Sequence, residues 1–363
     1  MRPSLLYRWL KIYVRLAFAA YYRRYRIHNP QNVPVTGPVI FAINHQNAFM
    51  DALVVAVSSG RNPWFITRAS VFSNATARYW LGLLQMLPIY RFRDGHANMK
   101  KNDEAMESVR RLLQQDETIL IFPEGNHDRH WALRPLQKGI ARMAFDLEAG
   151  EGFQSGLHIV PVGLQYENHL RSYSDVLISF GAPIAVSNYR DLYETNPAQA
   201  INRLIADLAP AIRSLMVHIP ENMPYDKVAE LIQSDAARPA ALVDRLQHDQ
   251  QLVERLQAME SIADMAAPKR KRRFCLLAWL LFVLSVIPHL PLLGLARMIV
   301  RKAVRDDHWT SSITFATLLL AGPLIYLAEI LALGFATGHW SVAILFALLL
   351  WPTARYSLWY RAA

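Results

Sequence analysis

A single cysteine, Cys275, stands in a chain of 363 residues. That rules out an internal disulfide framework and any zinc site built from several thiolates, and a reducing compartment is the natural reading. Several catalytic signatures are missing as well. There is no Gly-x-Ser-x-Gly elbow, no phosphate loop ending in Gly-Lys-Ser/Thr, no Gly-x-Gly-x-x-Gly and no His-Glu-x-x-His. Covalent serine hydrolysis, nucleotide hydrolysis, dinucleotide binding and zinc proteolysis lose their support with them. Acidic residues are absent from the first 27 positions. An uninterrupted apolar stretch is absent there too, because Arg8, Lys11 and Arg15 break it, so the segment does not read as a cleavable signal peptide.

What is present is base and hydrocarbon. With 39 basic against 29 acidic residues the chain carries +10, and 53% of it is hydrophobic. An anionic partner follows: nucleic acid, a membrane surface or a phosphorylated substrate. The bases gather beside apolar segments and at strand ends, and no nucleic-acid motif accompanies them, so nucleic acid is set aside. Residues 1–27 interleave Arg and Lys with Leu, Trp, Tyr and Ile, the pattern of an amphipathic helix on an anionic membrane surface. A basic helix packed on the protein's own core has the same periodicity and is the alternative.

Composition shifts again after Pro268. Five bases, Lys269 to Arg273, precede an apolar run from Phe274 to Ala296; others run from Ile313 to Phe335 and from Trp340 to Trp351. The first two are each about the 20 residues that cross a bilayer. Arg297, Arg301, Lys302 and Arg305 follow the first run, so both of its ends read as cytoplasmic. Pro288 and Pro291 breaking the first run into a re-entrant hairpin, and Gly338 turning the second back through the third, keep every basic cluster on one side. Straight spans do not, and a buried helical core is the remaining alternative.

Between these ends, short β-branched runs alternate with helical stretches from about Pro38 to Pro183, the rhythm of an α/β domain. Expected strands are 39–43, 64–67, 88–91, 118–122, 158–163 and 176–180. Expected helices are 49–59, 71–84, 99–114 and 139–147. The division is 1–27 amphipathic helix, 28–187 α/β domain, 188–267 helical extension without evident chemistry and 268–363 membrane segment.

Reactive groups in α/β sheets gather where strands end. His45 and Asp51 follow the first expected strand. An imidazole there can take a proton from an alcohol if a carboxylate fixes its tautomer. Six positions apart they do not share a helical face, so His45 must lie in the loop before the helix and bend back towards Asp51. A second cluster, Phe122-Pro123-Glu124-Gly125-Asn126-His127-Asp128-Arg129, follows another strand. Glu124 can accept hydrogen bonds from substrate hydroxyls and Gly125 lets backbone approach a ligand. Arg129 and Lys138 suit phosphate, as do Arg68, Arg91 and Arg93 at other strand ends.

The order Asn44-His45 with Asp51, Pro88-Ile89-Tyr90-Arg91, Phe122-Pro123-Glu124-Gly125 and Val160-Pro161-Val162-Gly163 resembles the four blocks of the glycerolipid acyltransferases, of the glycerol-3-phosphate and 1-acylglycerol-3-phosphate type. The resemblance covers about Val35 to Ile184. It implies a mixed β-sheet flanked by helices, here with a helical extension and C-terminal membrane-embedded helices. It also implies acyl transfer from acyl-CoA or acyl carrier protein to a glycerol hydroxyl, with these carriers as substrates, no other cofactor and no metal. His45 becomes the general base, Asp51 its orienting partner and Arg91 a phosphate ligand, while Glu124 and Gly125 position the acceptor. Membrane phospholipids are the implied partners, with the catalytic domain on the cytoplasmic face. Two departures stand out: five residues separate His45 from Asp51 where the family commonly has four, and Asn126-His127-Asp128-Arg129 replaces the usual Thr-Arg-Ser. An amine or sugar lipid as acceptor, or a catalytically silent lipid-binding scaffold, are the competing readings.

Overall fold

The computed structural model describes residues 4–89, 99–259, 275–304 and 309–362. Arg91 and Arg93 lie outside them. Eight strands form one mixed sheet among the described residues: β1 (Arg24–His28), β2 (Val39–Ile43), β3 (Trp64–Arg68), β4 (Met86–Ile89), β5 (Thr118–Ile121), β6 (His158–Tyr166), β7 (Asp175–Phe180) and β8 (Ile184–Ala185). Their order is β1-β7-β6-β2-β5-β3-β4, with β8 paired to β6. β2 lies parallel to both β5 and β6, and β7 runs antiparallel to β6.

A central parallel strand is covered on both faces, which explains why β2 reads as an unbroken apolar run. Val39, Phe41 and Ile43 face a cluster shared with helices α1 (Leu5–Tyr21) and α2 (Ala48–Ser58). Ile40 and Ala42 face the other layer, made by α4 (Met99–Gln114), α5 (Gly139–Gly150) and α7 (Pro197–Arg213). Several elements differ from expectation; β4 begins at Met86 and β8 is additional to the expected strands. The helix expected at 71–84 is α3 (Ala75–Leu83), because Asn74 accepts a hydrogen bond from the Ala77 amide and caps it there. β1 was hidden in the basic run: Tyr25 and Ile27 pack on the core while Arg24 and Arg26 alternate with them.

Part of the N-terminal positive charge is spent internally. Arg23 and Arg24, with Arg245 of α9 (Leu242–Gln257), converge on the buried carboxylate of Asp175. Burial alone would push that carboxyl up, but the hydrogen bonds from Arg23 and Arg24 outweigh it and hold it well below the usual range. The extension therefore packs on the sheet. The chain after α7 passes so close to β6 that a Cβ on Gly163 would lie 2.3 Å from the Leu215 carbonyl oxygen. Gly163→Ala is expected to lower stability by about 1–3 kcal/mol, read from a denaturant midpoint, because backbone must move to admit the methyl.

The N-terminal helix packs one side on the protein's own core and leaves the other exposed. Tyr7, Val14, Phe18 and Tyr21 are buried, while Leu5, Trp9, Ile12 and Leu16 form an exposed apolar strip flanked by exposed Arg8 and Arg15. Among the described residues, three segments are long and apolar enough to cross a membrane: Leu276–Ala303, Thr310–Thr337 and Trp340–Arg361. The first comprises α10 (Leu276–Val286), a 3-10 turn at Ile287–His289 and α11 (Leu290–Ala303); the others are α12 (Thr310–Thr337) and α13 (Trp340–Ala362). His289 bonds Tyr326 and Leu292 faces Gly322, so α11 runs antiparallel to α12. A straight continuation would carry Phe282 about 10 Å further from α12's start. Instead the Phe282 ring stacks on Tyr360, near the end of α13, at 4.6 Å. The path bends back at Pro288 and Pro291. Gly338, in the left-handed region at φ +67°, turns α12 into α13.

Candidate active site

Asn44 closes the end of β2. Its buried carboxamide donates to the Leu164 carbonyl at 3.0 Å and accepts from the Leu164 amide at 2.7 Å, adding a rung where the backbone ladder stops. The next residue, His45, is held on every side. Its amide donates to Glu124 Oε1 at 2.6 Å, its carbonyl accepts from the Asp128 amide at 2.9 Å, and its ring stacks on Phe122 with centroids 3.7 Å apart. Nδ1 lies 2.9 Å from Asp51 Oδ2.

Asp51 sits in the first turn of α2, completely buried, where the helix N-terminus favours an acidic side chain. Its Oδ2 also accepts the amides of Gln46 (2.8 Å) and Asn47 (2.7 Å), and Oδ1 accepts the Tyr166 hydroxyl at 2.8 Å. Burial pushes the Tyr166 phenol well up, which keeps it a donor. Since Asp51 acts as acceptor throughout, the proton between it and His45 belongs on Nδ1, leaving Nε2 with a lone pair. The His45 side chain is 14% exposed, so the ring is not sealed from solvent.

The five-residue spacing is accommodated locally. Asn47 stands at the N-cap position of α2 without a side-chain capping bond and Ala48 takes φ +40°, a conformation unusual for a residue with a Cβ, and the His45 to Asp51 contact closes across the longer loop.

Other expected residues fall in different places. Glu124 is buried with both oxygens engaged, Oε1 by His45 and Oε2 by the Arg134 amide and Nε, each at 3.0 Å. Burial raises its pKa, partly offset by these donors from His45 and Arg134. Glu124 thus clasps the His45 loop. Gly125 turns the loop at φ +75°. Arg68 reaches the same loop through Asn126 Oδ1 at 3.3 Å. Arg129 is exposed and lines a cleft of about 260 Å³ with His130, Asn168, His169, Tyr225 and Gln233, the last two from α8 (Tyr225–Ser234). Gln46 ties this cleft to the His45 loop, donating to the His130 carbonyl at 3.2 Å and meeting His169 Nε2 at the same distance. Lys138 is exposed at the start of α5, and its side chain bonds none of these groups among the described residues.

Several site residues had no sequence signal of their own. Tyr166, Asn47 and Ser311 are buried polar residues within or beside apolar runs, and a polar residue in such a place was the one clue to a specific partner.

The acyltransferase family model matches residues 24–165, from the start of β1 to the penultimate residue of β6. The histidine, the aspartate and the Glu124 loop all fall inside that match. Residues 24–165 match an acyltransferase domain. The chain is 29% identical over 128 residues to glycerol-3-phosphate O-acyltransferase 2 of Saccharomyces cerevisiae, covering 35% of this chain and 17% of that protein. It is 33% identical over 116 residues to an uncharacterised acyltransferase of Schizosaccharomyces pombe, covering 31% and 17%. It therefore spans about a sixth of the length of these relatives. The crystal structure of the 1-acyl-sn-glycerophosphate acyltransferase of Thermotoga maritima aligns with a TM-score of 0.38 and 15% identity, over 56% of this chain and 79% of that one. Within the acyltransferase domain, His45, Asp51 and Glu124 belong to one hydrogen-bonded unit, and β7, β8 and the helical extension lie beyond the match.

Proposed function

We propose that this protein is a membrane-bound acyltransferase that moves a fatty acyl group from acyl-CoA or acyl carrier protein to a hydroxyl of glycerol-3-phosphate or 1-acylglycerol-3-phosphate. The observation that carries the reading is the closed contact between His45 Nδ1 and the buried Asp51 inside an acyltransferase domain. Nε2 takes the acceptor's hydroxyl proton as the oxygen attacks the thioester carbonyl, and Asp51 stabilises the imidazolium. Collapse of the tetrahedral intermediate expels the carrier thiolate, which receives the proton from Nε2. No acyl-enzyme and no cofactor enter this scheme. A catalytically silent scaffold presupposes a disabled His-Asp pair, and the closed contact supports the enzyme reading over it.

Arg129 and Arg68, with Arg91 and Arg93 outside the described residues, are proposed ligands of the acceptor phosphate, and Lys138 a peripheral one. The exposed strip of α1 meets the bilayer beside α12, to which Tyr13 and Phe18 already bind. With α10 and α11 re-entrant, α12 and α13 cross and return, and the basic clusters share the catalytic side, the cytoplasmic one.

Full-length protein in phospholipid vesicles, given labelled acyl-CoA or acyl carrier protein and a mixture of glycerol-3-phosphate, 1-acylglycerol-3-phosphate, an amine lipid and a sugar lipid, tests the reading by mass spectrometry of products. Acylated glycerol phosphate is the expected product. Product from the amine or sugar lipid alone would reassign the acceptor, and no thioester consumption would restore the scaffold. Arg129→Ala is expected to raise KM for the phosphate-bearing acceptor about tenfold or more, the weight of a charge-assisted hydrogen bond, with a smaller change in kcat.

A further inference from the structure

The C-terminal apolar segment touches the catalytic loop itself. Ser311, in the first turn of α12 and 1% exposed, donates its hydroxyl to Asn47 Oδ1 across 264 positions of sequence. Asn47 is equally buried, its Nδ2 donates to the His169 carbonyl at 3.4 Å, and its amide is one of the donors that hold Asp51 Oδ2. It is also the residue before Ala48, where the loop accommodates the long His45 to Asp51 spacing at positive φ. Beside this bond, Trp309 lies edge-on to His127, whose ring lies edge-on to His45. Phe315, one turn further on, packs between Phe18 and Tyr21 of α1, which fixes the start of α12 against the sheet.

Resting on the acyl-transfer reading above, we infer that Ser311 is a positioning residue for catalysis: its hydroxyl holds the Asn47 carboxamide, and through the Asn47 amide the carboxylate that orients His45. A five-residue loop has more freedom than a four-residue one, and the strained Ala48 conformation gives it a reason to relax. A hydroxyl supplied by a helix rooted in the membrane segment restrains it. The apolar segment is then part of the active site, and its attachment to the domain sets turnover as well as location.

The neighbouring hydroxyl provides a control. Ser312 is also buried, at 4% exposure, and its Oγ has no hydrogen-bond partner among the described residues. Full-length Ser311→Ala, Ser311→Thr and Ser312→Ala proteins, reconstituted in vesicles, are compared for kcat and for KM of donor and acceptor. Ser311→Ala is expected to lower kcat about tenfold, as when a buried acceptor loses its donor, with both KM values within twofold. Ser311→Thr, which keeps the hydroxyl, is expected to recover most of the loss, and Ser312→Ala to match the unaltered protein. Unchanged kcat in Ser311→Ala overturns the inference. So does an equal loss in Ser312→Ala, a rise in KM that accounts for the effect, or a large fall in the melting temperature of Ser311→Ala, which would make the hydroxyl a packing element. A His45→Ala protein run alongside separates the two claims: if it is inactive while Ser311→Ala is not, the catalytic reading stands and the role of Ser311 falls.

Discussion

His45→Ala is expected to lower kcat by about 10²–10⁴-fold, the weight of a general base, while membrane association and folding stay intact. The geometry supports a selective loss. The loop is held mainly through backbone groups of residue 45, its amide on Glu124 and its carbonyl on the Asp128 amide, and alanine keeps both. Asp51 keeps the Gln46 and Asn47 amides and the Tyr166 hydroxyl. What disappears is the imidazole: a proton acceptor at Nε2 and a ring stacked on Phe122. The side chain is partly exposed, so its removal opens space towards solvent and leaves no sealed cavity. Initial rates with saturating thioester and acceptor, measured beside the melting temperature, check this. Near-normal turnover in the alanine protein would mean that another group takes the proton, and the dyad would lose its role.

How far the site was legible depended on the range of its contacts. The strand ending at Ile43 and the helix beginning near residue 48 announce themselves by apolar runs and a polar break, and with both in place the chain between them must bring residue 45 back over residue 51. That inference needed six residues of sequence. The Tyr166 hydroxyl on Asp51 comes from 115 positions away, the Asn44 amide pairs with Leu164 at 120, and Ser311 reaches Asn47 at 264. No local periodicity encodes such pairs; they follow from strand order, with β6 beside β2, and from the docking of α12. Glu124 shows the opposite difficulty. Its position at a strand end was read correctly, but a carboxylate in that position serves either substrate or protein, and only the arrival of the His45 amide and of Arg134 decides that it holds the loop. The N-terminal bases misled for a related reason. Charge patterning counts Arg23 and Arg24 as charge open to an anionic partner, whereas Asp175, on the strand that β1 pairs with, engages both at the surface.

Two substitutions at Asp51 separate the charge of this residue from its scaffolding. Asp51→Asn keeps the shape: the amide oxygen can face His45 Nδ1 and the amides of Gln46 and Asn47, while the amide nitrogen turns to Tyr166, whose oxygen can accept. Stability should fall modestly. The imidazolium that forms as His45 takes a proton then has no negative partner, so kcat is expected to drop by about 10²–10⁴-fold, in the range of the His45→Ala loss. Asp51→Ala removes the acceptor altogether. The Tyr166 hydroxyl and two backbone amides at the head of α2 lose their partner in a fully buried place, and roughly 3–9 kcal/mol of stability is expected to go with them, at about 1–3 kcal/mol for each of the three groups left unsatisfied. A charge-only role predicts equal melting temperatures for the two variants, and a scaffold-only role predicts full turnover in Asp51→Asn. Low turnover in both, with a large stability loss confined to Asp51→Ala, is the outcome expected of a carboxylate that builds the loop and also serves the reaction.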